Sequence, residues 1–440
     1  MRNLLLCCAA LLVADSAPAL AGKAHEIVIH TFTGGTDGAQ PNSALTLGGT
    51  GLLYGTTVNG RGAAACSSGC GTVFQLSGSG RKWAETVLYA FQGGSDGEQP
   101  FNAALALGPD GSLYGETLFG GAGNGTVFKL SPPSSGGNWT ETILYSFQGG
   151  RDGAVPESNI LLAADGTLYG TTYQGGTGCG STGCGTAFSL TPPTSGPSPW
   201  THAVLYRFRG KNDGATPIGG VIAGSGGVLY GTTTAGGSAG CGGEGCGTVF
   251  ALTPNIGSNG YTETILYDFK KKPEGLSVYN TLLLDSSGNL YGSTSNGGKG
   301  SCGGGPLTGC GTDFELTPPA GGVGQWQQSV IHAFIGKKPG GLYDGSYPNG
   351  ALIAGAGGVL YGSTYGGGYA CPVCAGTVYQ LAPPTGGGTT WTETLLYPFQ
   401  AGDDGSGPQG GLVADSGGQL FGITSGGGSA NLGIAFMVTP

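Results

Sequence analysis

The sequence predicts an all-β chain, a seven-bladed β-propeller with four antiparallel strands per blade. Three observations carry that expectation. The phrase Leu-Tyr-Gly-x-Thr recurs with its aromatic at Tyr54, Tyr114, Tyr169, Tyr230, Tyr291 and Tyr361, and with Phe421 in the seventh copy. The copies lie 55 to 70 residues apart, a period that marks an array of supersecondary units. Each period holds four short runs rich in Val, Ile, Thr, Tyr and Phe, bounded by turn residues, and such runs are strand signals.

Residues 1–21 read as a secretory signal. Arg2 supplies the charge, Leu4 to Val13 the apolar core, and Ala19-Leu20-Ala21 the small-residue cleavage site. A lipoprotein reading through Cys7 or Cys8 is weaker, because the apolar run before them is too short. Cleavage would leave one domain, residues 22–440. Next comes His25 to Phe32, an isolated copy of a phrase that elsewhere ends each unit. The unit around Tyr114 then sets the order: Ala103–Leu107, Leu113–Thr117, Gly125–Leu130 and Glu141–Phe147 are its four strands. The third-strand phrase recurs at Phe74, Phe128, Phe188, Phe250, Phe314, Tyr379 and Phe436. The fourth recurs at Phe91, Phe147, Phe208, Phe269, Phe334 and Phe399. The seventh unit thus lacks a fourth strand and the N-terminal side supplies a spare one. Joining them closes the ring and leaves no open sheet edge at the seam.

Glycine makes up 97 of 440 residues, but it falls in fixed places between strands, where turns need it. Net charge is −9 with only 16 Lys and Arg, and no basic stripe exists, which argues against a nucleic-acid partner. No stretch after the signal approaches the roughly 20 apolar residues of a spanning helix. Ten cysteines remain once Cys7 and Cys8 leave with the signal, and they fall in five close pairs: Cys66/Cys70, Cys179/Cys184, Cys241/Cys246, Cys302/Cys310 and Cys371/Cys374. Each pair sits between the second and third strands, and no histidine accompanies it. Local disulfides in an oxidising compartment are the expectation, secreted or periplasmic.

Loops alternate between the two faces of the ring. The second-to-third loops share one face with the crossovers to the next blade, which carry Gly-Gly-x-Asp-Gly-x-x-Pro. That phrase places acids at Asp37, Asp96, Asp152, Asp213, Glu274, Asp344 and Asp404. Pro follows at positions 41, 100, 156, 217, 348 and 408, with Tyr279 expected in its place in the fifth unit. Seven acids on one face could bind a ligand, either a hydroxyl-rich one or a cation such as calcium at the channel mouth, although no metal-ligand spacing supports a cofactor. The competing expectation is turn duty, because Asp-Gly is a turn dipeptide and Asp caps local N–H groups. Trp83, Trp139, Trp200, Tyr261, Trp326 and Trp391 precede the fourth strands, where an aromatic most simply covers the core. Tyr89, Tyr145, Tyr206, Tyr267 and Tyr397 share one fourth-strand slot with His30 and His332. Residues 270–275 and 337–344 break the repeat with five basic residues on one sector. No nucleophile elbow, zinc motif or phosphate loop is present.

Glu141 to Gly153, Gly166 to Gly176 and Gly185 to Phe188 together closely resemble the GloVer tandem repeat of exported bacterial proteins. The resemblance spans residues 25–440. It implies repeats that join varied C-terminal surface anchors and brings no catalytic set; this chain shows no anchor segment before Pro440. The Leu-Tyr-Gly and Gly-Thr-Val-Phe pairing also looks like quinone-dehydrogenase and lyase propellers, an analogy of fold alone. The functional expectation is a monomeric secreted protein that binds a glycan, cell-surface polymer or protein partner through the disulfide-tied face. A lyase or glycoside-cleaving enzyme with its site at the channel mouth is the first alternative, and a structural envelope or matrix protein the second.

Overall fold

A computed structural model describes residues 24–440 except 61–65, 103, 195–198, 239, 244, 258–259, 271–272, 303–308, 323, 337–342, 369–374 and 387. The signal segment, Ala103, the Cys371/Cys374 pair and most of the two basic stretches lie outside the described residues.

The chain forms seven antiparallel sheets of four or five strands, one per repeat. Within six of the sheets the strands run in sequence order from the ring axis outwards. In the second blade that order is Ala106–Leu107, Leu113–Thr117, Thr126–Ser131 and Thr140–Ser146. The last blade is completed from the other end of the chain. His25–Thr31 pairs with Ile434–Thr439, His25 opposite Thr439 and Thr31 opposite Ile434. The predicted closure is the observed one.

Aromatic side chains join the blades. The fourth-strand Phe of each blade is fully buried and meets the third-strand aromatic of the next. Phe91–Phe128, Phe147–Phe188 and Phe269–Phe314 have ring centroids 5.1 to 5.2 Å apart. Phe32–Phe74 and Phe399–Phe436 carry the same contact through the closed seam, at 5.1 and 5.0 Å. Edge-on pairs at these distances add about 0.5–1.5 kcal/mol each beyond the area they bury. The tryptophans serve the same seams: Trp139 meets Tyr54 and Trp391 meets Tyr291 at 6.2 Å, and Trp83 meets Phe421 at 5.7 Å. They are core covers, as their place before the fourth strand suggested.

The glycine of Leu-Tyr-Gly makes room for the third-strand ring beside it. A Cβ at Gly55, Gly115, Gly170, Gly231, Gly292, Gly362 or Gly422 would fall within 2.7 Å of that ring or its hydroxyl. The repeated phrase is scaffold.

The innermost strand of each blade is broken. In the first, Ala39–Pro41 and Thr46–Gly49 both pair with Leu52–Asn59, and residues 42–45 between them bulge towards the axis. In the last, the same break is a register shift between Gln409 and Val413. This bulge places the site.

Candidate functional site

The crossover clamps onto the loop of the blade it leaves. The residue before the proline position sits at positive φ in all seven blades, at Gln40, Gln99, Val155, Thr216, Ser277, Tyr347 and Gly407. Its N–H donates to the carbonyl just ahead of the third strand: Gln99 to Cys70, Thr216 to Cys184, Ser277 to Cys246 and Tyr347 to Cys310, all at 2.8 to 2.9 Å. Both loop sets therefore share one face, as expected. Ser277 also corrects the alignment of the fifth blade. It holds the pre-proline slot, so the residue in the proline position is the fully buried Val278. Tyr279 lies one place further on. With the proline lost, only Glu274-Gly275 marks the register, and four residues on from Glu274 is Val278.

Four of the expected disulfides are present: Cys66–Cys70, Cys179–Cys184, Cys241–Cys246 and Cys302–Cys310, with Cα separations of 5.0 to 5.3 Å. Bonds of this kind belong to an extracytoplasmic, oxidising setting. Among the described residues no helix is long and apolar enough to cross a membrane.

The seven crossover acids stand against the outermost strands, away from the axis. Asp96 accepts from Tyr89 Oη at 2.6 Å and from the Gln92 N–H at 2.5 Å. Asp152 accepts from Tyr145 and Gln148, both at 2.8 Å, and Asp404 from Tyr397 and Gln400 at 2.5 and 2.6 Å. Asp213 accepts from Tyr206 and from the Arg209 N–H, and Glu274 from Tyr267 at 3.0 Å. Where histidine replaces the tyrosine, His30 faces Asp37 at 3.6 Å and His332 faces Asp344 at 3.9 Å. Asp37, Asp96, Asp152, Asp213 and Asp404 each accept from the N–H four residues before and so close their own turns beside the outer strand. Among the described residues no three His, Cys, Asp or Glu side chains converge to hold a metal ion.

These acids also face a carboxyl from the next blade. Burial, and then the charges of Asp404, Asp96 and Asp213 respectively, push Glu26 and Glu141 up to about 7 and Glu263 up to about 8. In the third blade His202 takes that slot instead, with Nδ1 3.3 Å from Asp152 and its ring stacked on Tyr145 at 4.1 Å. A carboxyl whose folded pKa is raised favours folding below its unfolded pKa and loses that contribution as pH rises to the folded value. Thermal stability is therefore expected to fall between about pH 4.5 and pH 8. Glu263→Gln should flatten the upper part of that profile; a profile unchanged by the substitution would remove Glu263 as a cause.

The axis itself is lined by the bulges. Successive blades place Asn42, Phe101, Glu157, Ile218, Tyr279, Asn349 and Gln409 directly after the proline position. Here the residue type changes from blade to blade, while the scaffold slots keep theirs. A second variable ring, one place after the conserved threonine of the second strand, holds Val58, Leu118, Tyr173, Thr234, Ser295, Tyr365 and Ser425. Below them the channel is shut. Asn159 Nδ2 donates to Thr281 Oγ1 at 2.8 Å, two blades away, and its Oδ1 accepts from the Ala104 N–H at 2.8 Å. Ala351 and Gly411 make a parallel backbone bridge between the last two blades. The space left among Asn102, Asn159, Tyr279, Asn280 and Asn349 is about 10 Å³, room for one water at most.

On this floor stands the cluster that sequence reasoning missed. Tyr279 keeps 37% of its surface exposed at the mouth. Burial, then the neighbouring Tyr173 and Glu157, raise its pKa. Burial pushes the Glu157 carboxyl up to about 7. Beneath it Glu116, fully buried, accepts from the Ser158 N–H at 3.0 Å and is held well above the usual carboxyl range by burial. Glu116 fills the x position of Leu-Tyr-Gly-x-Thr, which is Thr or Ser in five other copies and Ile423 in the seventh, a departure visible in the sequence once the repeats are aligned.

The family model described as Gloeobacter/Verrucomicrobia repeat matches residues 19–182 and 123–370. No curated protein matches the chain. Among solved structures, an ulvan lyase of polysaccharide lyase family PL25 superposes with TM-score 0.51 at 10% identity, covering 93% of this chain and 95% of that one. The polysaccharide lyase Uly1 superposes with TM-score 0.51 at 11% identity, over 94% and 99%. A putative glucose dehydrogenase-type oxidoreductase from Thermus thermophilus gives 0.41 at 13% identity, over 94% and 100%. At these identities the likeness is one of fold.

Proposed function

We propose that this chain, which belongs to the Gloeobacter/Verrucomicrobia repeat family, is an exported polysaccharide-binding protein that holds its ligand at the disulfide-tied mouth of the ring. The observation that carries the reading is Tyr279, exposed beside Glu157 and Tyr173 over a closed channel floor. An aromatic face stacks on the apolar side of a sugar ring, and neighbouring carboxyl, phenol and amide groups take its hydroxyls. A floor this tight leaves no funnel for a chain end, so the ligand lies across the mouth. The disulfides fix the loops around it, which lowers the ordering cost of binding. The signal reading of residues 1–21 and the extracytoplasmic disulfides support export.

A second reading, cleavage of the bound polymer, draws on Glu157 alone. A carboxyl near pKa 7 is poised for general acid–base work. One experiment addresses both. The protein is titrated against a panel of soluble polysaccharides, with chain length and new ends followed in the same samples. Tyr279→Ala should weaken binding about tenfold, the scale of one well-placed anchor. Binding unaffected by that substitution, or no binding to any polysaccharide, would overturn the proposal. New chain ends that vanish in Glu157→Gln would establish the second reading.

A further inference from the structure

A cleft of about 400 Å³ opens on the same face above the last blade, within the roughly 300–1,000 Å³ common for small-ligand sites. Three blades wall it. Gln40 comes from the first, Tyr365 from the sixth, and Ser406, Gly407, Ser425 and Asn431 from the last blade and its approach. Among the described residues none that lines it is charged, and four of these side chains besides Tyr365 are amides or hydroxyls.

The cleft is built around one aromatic. Tyr365 is 41% exposed and lies across Gly407, where a Cβ would stand 2.8 Å from the ring and φ is +66°. A side chain there would be strained and would displace the ring. The floor is tied as well: Gln409 Nε2 donates to Ser425 Oγ at 3.3 Å, and Ser425 donates to the Gly407 carbonyl at 3.2 Å. Asn431, at φ +55°, caps the Gly427 N–H at 2.9 Å. Tyr365 occupies the strand slot that Tyr173 holds three blades earlier, so the two tyrosines stand on opposite sides of the mouth.

We infer that this cleft seats an uncharged sugar unit, as a second subsite for a polysaccharide lying across the mouth. The inference rests on the polysaccharide reading of the face and adds to it the neutral character of this unit. An uncharged lining offers hydroxyl-matching donors and acceptors without a counter-ion, and the exposed phenol ring offers a stacking surface.

The test uses neutral cello-, laminari-, xylo- and manno-oligosaccharides of increasing length, followed by calorimetry and by saturation transfer from protein to sugar. At least one series should bind, with affinity that rises with length and does not change between low and high salt. Tyr365→Ala should weaken the longer members about tenfold, and Gly407→Ala should do the same by moving the ring. Circular dichroism and the unfolding midpoint confirm that both variants fold. Loss in Tyr279→Ala with full binding in Tyr365→Ala would overturn the cleft and leave the mouth reading standing. Failure of every neutral series, with binding of an acidic polysaccharide that depends on Tyr279, would do likewise. Loss in Tyr365→Ala alone would support the cleft and move the primary site away from Tyr279.

Discussion

Phe436→Ala is expected to destabilise the folded chain by about 3–5 kcal/mol, the cost of truncating a fully buried ring. Phe436 has no exposed surface and meets Phe399 of the preceding blade at 5.0 Å. It also fills the space above Gly422, where a methyl would stand 2.5 Å from Cζ. Gly422→Ala alone is therefore an overpacking change, worth about 1–3 kcal/mol of destabilisation. In the Phe436→Ala background the same methyl enters the vacated space. The double variant should lose clearly less than the sum of the singles, a coupling expected for residues in contact. Urea unfolding at constant m-value reads all four forms. Strict additivity would show that the glycine serves some purpose other than room for the ring.

The second large effect lies between the fifth and sixth blades. Tyr379 replaces the third-strand Phe, and Asp313 replaces the Val or Ala found beside that Phe in other blades. Both are fully buried, and the Tyr379 hydroxyl donates to Asp313 Oδ2 at 2.9 Å. Burial pushes Asp313 up to about 7. Tyr379→Phe strips a buried carboxyl of its donor and should cost about 1–3 kcal/mol. Asp313→Val orphans the phenol and should cost a similar amount. The two together restore the pair used elsewhere in the ring, and the double variant should be at least as stable as the original chain. Its advantage should grow as pH rises from about 4 to 7, because the original loses the contribution of the protonated Asp313 over that window. A double variant less stable than either single would mean the polar pair is needed for the fit of these two blades.

The fold was legible because each strand carries its own marker. Tyr in the second strand, Phe in the third and Phe in the fourth recur in register, and each marks a packing contact that every blade must make. The closing strand was legible for the same reason, since Phe32 repeats Phe91. The disulfides followed from spacing and compartment. The site was harder to read, because a repeat shows what blades share and a binding surface is what they do not share. The acids of the crossover repeat, and five of them close turns at the outer strands. Glu157 and Tyr279 sit in a slot with no consensus, and with no proline in the fifth crossover only Glu274-Gly275 marked the alignment of Tyr279. Asp313 and Tyr379 were visible as paired departures in adjacent blades, but only spatial contact gives the pairing meaning.

The seam between His25–Thr31 and Ile434–Thr439 also sets an order of events. The first of these strands is synthesised, and would be exported, long before its partner. Until then it has no neighbour on either edge, and the last blade waits for it with one edge open. Pairing across most of the chain length is slow to find, and unpaired edges invite association with other chains. The interval before closure, rather than the finished ring, is when this protein is most exposed to aggregation. A holding factor at the exit of the export path would act on that strand first.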